Sequence, residues 1–424
     1  MSEKKHKERR RKERAKKEEP KVNKISDVKM AYIMYGKKVF IIPIVIAIIL
    51  GAIIWGIVHN ARRNNAPQET ADNQKEQINY IWREIKPGKR NTNNFTTVTS
   101  SDGVQVPVPT GYTASSASDE NSVNGGFVIY EGTEAVTDSN KWNAQCNRNQ
   151  YVWVPIANVS DMYWRNQTTG KKYGTWYNFE YDATTYAKGE NRSYEPQITN
   201  DDIQSTYLTT YLNGMSREDF LMEMEIDFDK MLNSVATYGG YYIGRYETGD
   251  LSQATPVVKR INTDLGNQTW YTMWKKARKL SGTSAGVQMI WGIQWDETMK
   301  WLIDTEEKTY AEIASDSTSW GNYRNNSFTY YIDTSKNTAT QASGSKNIIP
   351  SGAYEGANAN NVFDLAGNVR DGTLESNDSG GDLREFRGGY CNNKGDVYPA
   401  AERASWYNYD SNAANGLRCS LFIK

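Results

Sequence analysis

The residues best suited to contact another molecule lie near the C-terminus of this 424-residue chain. The run Trp-Tyr-Asn-Tyr-Asp-Ser-Asn from Trp406 to Asn412 combines rigid aromatic rings with small polar side chains. Rings of this kind supply contact area, and the polar groups supply adaptable hydrogen bonds. Gly388 and Gly389, earlier in the segment, suit a close backbone approach or a positive φ. This composition predicts a binding face displayed on a fixed scaffold.

Residues for catalysis are scarce in the main part of the chain. His6 and His59 are the two histidines, and both lie near the N-terminus. Histidine metal centres and histidine general bases are therefore excluded from the residues beyond them. The acidic pair Asp296 and Glu297 and the acidic positions in 223–229 lie on predicted helices, where we expect them to face solvent. We find no facing pair of carboxylates of the kind a glycosidase needs.

The chain contains three cysteines, Cys146, Cys391 and Cys419. This number is too small for a disulfide framework, and an odd count leaves at least one thiol unpaired within the chain. A Cys391–Cys419 bridge is an open alternative, which requires that the strands carrying the two residues be neighbours.

A charge asymmetry and an apolar run predict a membrane anchor. Residues 1–38 carry 15 Lys/Arg and 6 Asp/Glu, a net charge of +9, which leaves 35 basic and 44 acidic residues, a net of −9, in the remainder. The twenty residues from Val39 to Val58 carry no charge, which is about the length of a transmembrane helix. The positive-inside rule places the N-terminus in the cytoplasm and the C-terminal domain outside the cell. The acidic remainder argues against a nucleic-acid partner.

The rest of the chain divides into a stalk and one large domain. Residues 59–103 are predicted to be a polar stalk, and the folded domain is expected to span 104–424. Short strands are predicted in VQVPVP, GGFVIYEG and QYVWVPI, and amphipathic helices follow Ser216 and cover 270–280 and 294–304. Residues 157–215 are polar and rich in Tyr and Asn, which is typical of an insertion. Strands mixed with isolated helices and long loops predict an α+β fold.

Several segments occur in the order found in a known family. They are GGYYIGRYETG at 239–249, the helix at 270–280, GIQWDETMKWL at 292–302, FDLAGNVRDGT at 363–373, FRGGY at 386–390 and GLRCSLFI at 416–423. This set resembles the formylglycine-generating-enzyme, or sulfatase-modifying-factor, family. The resemblance implies a C-type-lectin-like α+β domain, but one fold serves several activities.

The family's catalytic residues are only partly represented. Its oxidases hold copper with two cysteines a few residues apart after the RGG segment, and here Cys391 occupies that region without a near partner. Cys419 matches a structural strand position of the family. We therefore expect no enzymatic activity. The alternative is a formylglycine-generating oxidase with an atypical thiol site.

The departures from the family pattern point to a second resemblance. Arg370, Asp371 and Gly372 replace the usual Trp-Glu-Trp after Asn-Val, and the following segment is rich in Asn, Tyr, Asp and Ser. This C-terminal segment is similar to that of the variable proteins of diversity-generating retroelements. In the genes of those proteins, adenine-containing codons of the C-terminal repeat are randomised. An ordinary polar loop is the alternative. The candidate binding residues in 361–424 are Arg370, Asp371, Gly372, Tyr390, Cys391, Asn392, Asn393, Asp396, Tyr398, Trp406, Tyr407, Asn408, Tyr409, Asp410 and Asn412.

One metal site is considered. Asp364, Asn368 and Asp371 are oxygen ligands close together in sequence, and the resemblance implies a structural calcium ion near this segment. Turn formation by the Asp and Asn side chains is the alternative. No other cofactor is expected.

These observations predict a bacterial single-pass type II membrane protein. Its extracellular domain would bind a protein or glycan ligand through the candidate residues in 361–424, which a retroelement would diversify. A structural envelope protein without a small ligand is a further alternative.

Overall fold

The computed structural model describes residues 83–180, 183–188, 205–376 and 383–424. All of them belong to one unit, residues 77–424. The predicted basic tail, the apolar run from Val39 to Val58 and the stalk up to residue 82 lie outside the described residues. Within the described part, no helix is long and apolar enough to cross a bilayer.

The helices are short except for one. They are α1 Lys141–Asn147, α2 Ser205–Tyr211, α3 Arg217–Tyr238, α4 Trp270–Ala277, α5 Gly292–Asp304 and α6 Tyr310–Ala314. Single turns of 3-10 helix cover Val159–Asp161, Arg278–Leu280, Thr318–Trp320 and Glu355–Ala357.

The strands form two larger sheets and several hairpins. They are β1 Phe95–Thr99, β2 Gln105–Pro109, β3 Tyr112–Ala114, β4 Val128–Glu131, β5 Gln150–Pro155, β6 Tyr163–Arg165, β7 Lys172–Gly174, β8 Tyr177–Asn178, β9 Ala187–Lys188, β10 Gly240–Gly244, β11 Ala285–Met289, β12 Phe328–Tyr331, β13 Thr338–Gln341, β14 Asn358–Ala359, β15 Val362–Phe363, β16 Arg370–Ser376, β17 Leu383–Arg387, β18 Arg403–Tyr407, β19 Asn415–Leu417 and β20 Cys419–Ile423. One sheet has the order β11-β20-β10-β5-β4-β3, and the other has the order β18-β17-β16-β19. This loop-rich arrangement confirms the α+β prediction.

The predicted helices form where the apolar spacing places them. Ser216 caps α3, because its Oγ accepts a hydrogen bond from the Asp219 amide at 3.0 Å. The apolar stripe of α3 is buried, and so are Trp270 and Trp295, which are completely inaccessible to solvent. The aromatic and Met stripes are therefore core, as the spacing predicts.

The predicted boundary between the stalk and the folded domain is wrong. The segment that resembled a linker contains β1, which pairs along its whole length with β2, and Phe95 is buried against the Tyr238 ring. The folded domain therefore begins before residue 104. Polar residues dominate this segment because Thr96, Thr97 and Thr99 of β1 are exposed, while Phe95 is buried.

The expectation that the helical carboxylates face solvent is wrong for four of them, whereas Glu223 and Glu225 are partly exposed. Asp227 and Asp229 on α3 and Asp296 and Glu297 on α5 are all buried. Their polar partners come from distant parts of the chain, which local sequence cannot reveal. Lys172 of the insertion, for example, donates to Asp229 Oδ2 at 2.6 Å.

The arginines of the sequence motifs form buried ion pairs that join the motifs to each other. Arg245 of the 239–249 motif pairs with Glu120 at 2.7 Å, and Arg418 of the C-terminal motif pairs with Asp371 at 2.8 Å. Burial alone would raise the pKa of Glu120, but the Arg245 guanidinium lowers it to about 2. Removing one partner of such a buried pair costs about 3–5 kcal/mol, because the other charge is left uncompensated.

A second ionic cluster lies under the insertion. Arg387 and Arg403 share the carboxylates of Asp296 and Glu375, with Arg387 Nη2 at 2.6 Å from Asp296 Oδ1. The insertion covers this cluster: the Tyr177 amide donates to Asp296 Oδ2 at 2.9 Å. The insertion is thus part of the folded domain.

Glu297 provides a test of these buried contacts through the pH dependence of stability. Burial raises the pKa of Glu297 to about 7, against the opposing effect of the Tyr177 hydroxyl hydrogen bond. The folded state then holds a proton that the unfolded state has released above about pH 4.5. Stability therefore falls as the pH rises from about 4.5 to about 7. Glu297→Gln lacks this ionisation, and we expect it to gain roughly 3 kcal/mol relative to the wild type across that interval.

Denaturant unfolding of both proteins between pH 4.5 and 8 measures this difference. Glu218→Gln, on the exposed first turn of α3, serves as the control and should parallel the wild type. A difference between Glu297→Gln and wild type that stays constant over this pH range would contradict the assignment.

Candidate ligand-binding face

The predicted face is built on the edge of the four-stranded sheet. β16 carries Arg370 at its start, β18 carries Trp406 and Tyr407 at its end, and the connection from Gly388 to Glu402 lies between β17 and β18. Gly388 and Gly389 have φ values of 84° and 67°. A Cβ atom at Gly389 would lie 2.7 Å from the Tyr398 carbonyl oxygen. The turn therefore requires glycine, as the sequence indicated, and it anchors the connection rigidly.

Most of the candidate residues are exposed or half-buried. Tyr407 is 50% exposed, and Asp396 and Asp410 are also exposed. The half-buried positions are Arg370, Tyr390, Asn392, Asn393, Tyr398, Trp406, Tyr409 and Asn412. Two of the amides stabilise their own loops: Asn393 Oδ1 accepts from the Tyr390 amide at 3.1 Å, and Asn412 Oδ1 accepts from the Ala414 amide at 2.8 Å.

Four of the candidate residues do not lie on the surface. Asp371, Gly372, Cys391 and Asn408 are buried, so the prediction that they belong to an exposed face is wrong. Successive side chains of a strand point to opposite faces, and this turns Asp371 inward to Arg418 while its neighbour Arg370 stays half-exposed. A Cβ atom at Gly372 would lie 3.0 Å from the Phe386 ring.

Arg370 lies between two aromatic rings. Its guanidinium carbon is 4.2 Å from the centroid of the Tyr390 ring and 5.7 Å from that of Trp406. Its Nη1 donates to Asn415 Oδ1 at 3.3 Å. The structure thus brings together residues from three separate parts of the candidate segment. We call Arg370, Tyr390 and Trp406 the arginine cluster.

A second group of rings involves residues that sequence analysis missed. Tyr409 stacks on Tyr207 of α2, with centroids 4.8 Å apart and planes 20° apart. It also contacts the Tyr407 ring in a tilted arrangement, with centroids 5.2 Å apart and planes 31° apart. Behind them, Tyr211 of α2 stacks on Tyr271 of α4 at 6.0 Å and 9°. We call Tyr207, Tyr407 and Tyr409 the tyrosine platform. The Tyr-rich composition of the insertion was the available signal, but only the fold shows that α2 reaches Tyr409.

The three residues predicted to hold calcium are buried, and protein donors occupy part of their oxygen atoms. Asp364 Oδ2 accepts from the Gly352 amide at 2.6 Å, Asn368 Oδ1 accepts from Asn322 Nδ2 at 2.9 Å, and Asp371 Oδ2 accepts from Arg418. Asp364 Oδ1 and Asp371 Oδ1, however, have no hydrogen-bond partner, so a calcium ion at these residues stays a prediction. In the described part of the chain no group of three His, Cys, Asp or Glu side chains is placed to hold a metal.

The alternative interpretation, turn formation, agrees better with the backbone at these positions. Asp364 and Asn368 have φ values of 59° and 60°, in the left-handed region that Asp and Asn tolerate.

The thiols are likewise separate from one another. All three cysteines are buried and unbonded, so the Cys391–Cys419 bridge does not form. Cys391 Sγ donates to the Lys346 carbonyl oxygen at 3.3 Å, whereas Cys419 Sγ accepts from Thr248 Oγ1 at 3.3 Å. Burial raises the pKa of both thiols to about 12. Copper binds the thiolate form, so binding would have to overcome the free-energy cost of deprotonating these buried thiols.

Comparison with known proteins gives limited similarity. No protein-family model and no curated protein matches the chain. Among solved structures, CarF is 15% identical with a TM-score of 0.28, over 44% of this chain and 87% of CarF. Treponema denticola variable protein 1 is also 15% identical with a TM-score of 0.28, over 43% of this chain and 84% of that protein. Similarity at this level carries no argument about the fold or function of this chain.

Proposed function

We propose that this chain is a surface-displayed ligand-binding protein whose binding face combines the tyrosine platform and the arginine cluster. The observation that carries the proposal is the exposure of Tyr407. It is the single aromatic residue among the strongly exposed large hydrophobic side chains of the described residues, and its ring packs against the Tyr409 ring. A ring held in place by other rings loses little conformational entropy when it contacts a ligand. The ligand would be an extracellular protein or glycan.

The display of this face at the cell surface rests on the N-terminal sequence. The apolar run from Val39 to Val58 and the basic residues before it would anchor the protein in a bacterial membrane, with the N-terminus in the cytoplasm. The domain would then be extracellular, as in a single-pass type II protein.

We further propose a C-type-lectin-like arrangement of the domain, which the ordered motifs support. Glu247 of one motif accepts from the Val369 amide and from Asn368 Nδ2 of another, at 3.1 and 2.5 Å. Arg418 of a third motif donates to the Phe363 carbonyl oxygen at 2.9 Å. Contacts between motifs explain why they occur together. The proposal assigns no catalytic role to them.

Diversification by a retroelement would suit the distribution of buried and exposed positions. Residues such as Asn392, Asp396, Tyr407 and Tyr409 can change without altering the core, because they lie at the surface. Asp371 cannot change freely, because it is the counter-ion of Arg418.

Sequencing the DNA around this gene in several isolates tests diversification. We expect a near-copy of the region encoding residues 361–424, differing at adenines, together with a reverse-transcriptase gene. The codons for Tyr407 and Tyr409 should vary, whereas those for Asp371 and Arg418 should stay constant. An invariant C-terminal region without a repeat would leave a binding protein of fixed specificity.

The triple change Trp406→Ala, Tyr407→Ala and Tyr409→Ala tests the binding face. Ligands would be selected with the full-length wild-type protein, in a neutral detergent, from arrays of defined glycans and displayed peptides. We expect the triple variant to lose binding of the selected ligands, because it removes the rings that supply contact area. It should still unfold cooperatively, at a lower melting temperature than the wild type because Trp406 also packs against the core. Tyr330→Ala with Ile332→Ala, at the end of the β12–β13 hairpin, is the control. Ligands that bind the triple variant as well as the wild type would place the site elsewhere.

Tyr207→Ala tests the contribution of the insertion. Tyr207 stacks on Tyr409, so its removal should loosen the platform and weaken binding by roughly 0.5–1.5 kcal/mol, which is the range for an aromatic pair. Titration of a selected ligand against Tyr207→Ala and Tyr207→Phe measures the effect. Phe retains the ring and should preserve most of the affinity. Equal affinity of the Ala variant and wild type would show that α2 takes no part in binding.

A further inference from the structure

The fold pairs four of the five buried arginines of the described residues with carboxylates. Arg245, Arg387 and Arg418 each lie within 2.8 Å of a carboxylate oxygen, and Arg260 lies 2.6 Å from Glu355. Such pairing is expected, because an arginine removed from water without a counter-charge is costly.

Arg370 departs from this pattern. It is half-buried, and no carboxylate of the described residues lies within ion-pair distance of its guanidinium. Its neighbours are instead the rings of Tyr390 and Trp406 and the Asn415 amide. Burial lowers the pKa of Arg370, and the groups that act in the opposite direction are Tyr390, Tyr398 and Cys391. None of these groups is a carboxylate, so the positive charge of Arg370 has no Asp or Glu counter-charge among them.

Unused hydrogen-bond donors surround the same guanidinium. Arg370 Nε, Trp406 Nε1 and Asn415 Nδ2 are enclosed by the protein and have no hydrogen-bond partner. Nearly all buried donors in folded proteins have a partner, so three unpaired donors on adjoining side chains point to a missing acceptor. The Asn415 and Arg370 positions are directly opposite each other on β19 and β16.

We propose that the arginine cluster binds a carboxylate group of the ligand, an inference that rests on the proposed binding function. A carboxylate only accepts hydrogen bonds, and its two oxygens match the two parallel N–H groups of a guanidinium. The rings of Tyr390 and Trp406 flank the guanidinium, which favours a planar acid over a tetrahedral phosphate. The carboxylate supplies the counter-charge that Arg245, Arg387 and Arg418 receive from Asp and Glu. Acidic sugars and acidic peptide side chains both carry this group.

Ligand-observed 19F NMR with trifluoroacetate tests the proposal on the full-length protein in a neutral detergent at constant ionic strength. Trifluoroacetamide, a neutral molecule of similar shape, and monofluorophosphate, a tetrahedral anion, are the comparison probes. We expect the trifluoroacetate signal to broaden on binding, acetate to reverse this, and the comparison probes to broaden much less. Arg370→Gln should weaken trifluoroacetate binding at least about tenfold. Lys394→Gln removes a positive charge from the same connection and should leave binding unchanged.

Several outcomes would overturn the carboxylate assignment. These are equal broadening of trifluoroacetate and trifluoroacetamide, tighter binding of monofluorophosphate, no broadening of trifluoroacetate, and unchanged binding in an Arg370→Gln protein that melts like the wild type. If selected ligands still depend on Trp406, Tyr407 and Tyr409 in any of these cases, the binding function stands and only the ligand chemistry is wrong. Trp406→Phe keeps the ring but removes the indole donor. An intermediate loss of trifluoroacetate affinity in that variant would support a direct role for Trp406 Nε1.

Discussion

The burial of arginine charge is the constraint on which the rest of this structure depends. Arg245, Arg387 and Arg418 are almost inaccessible to solvent, and each must meet a carboxylate that comes from a distant part of the chain. Satisfying these pairs connects the six-stranded sheet, the four-stranded sheet and α5. Arg418 shows this most clearly, because it donates to the carboxylate of Asp371 and also to the carbonyl oxygens of Gly244, Phe363 and Asp364. The three arginines, together with Asp296 and Asp371, lie in the sequence motifs, whereas Glu120 lies outside them.

The rigid scaffold and the proposed binding face use neighbouring residues for opposite purposes. Arg370 and Asp371 are adjacent on β16, yet Asp371 neutralises a core arginine and Arg370 lies between aromatic rings near the surface. Trp406 and Tyr407 are also adjacent at the end of β18, and the alternation of the strand assigns Trp406 to the arginine cluster and Tyr407 to the tyrosine platform. A single polar and aromatic segment thus produces two groups of contact residues, and the insertion completes one of them through Tyr207.

Sequence patterns predicted those parts of the fold that local physics decides. The apolar spacing that follows the Ser216 cap predicted α3, and the Trp and Met spacing predicted that the inner faces of α4 and α5 are core. The same patterns failed for charged residues. Asp296 and Glu297 have the composition of a solvated helix face, but Arg387, Arg403 and Tyr177 reach them from far along the chain. A buried charge cannot be distinguished from an exposed one in sequence, because its partner is chosen by the tertiary fold.

The sequence by itself determined the composition of the candidate face, the glycine turn at residues 388–389 and the scarcity of groups for catalysis. These properties depend on residue type or on local backbone conformation. Only the tertiary structure decided which candidate residues reach the surface, because a shift of one residue along a strand exchanges the inner and outer faces. It also decided that Tyr207 stacks on Tyr409 and that Arg370 lacks a carboxylate partner among the described residues. The Tyr207–Tyr409 contact depends on packing between segments about two hundred residues apart in sequence. The environment of Arg370 depends on which side chains the fold places around it.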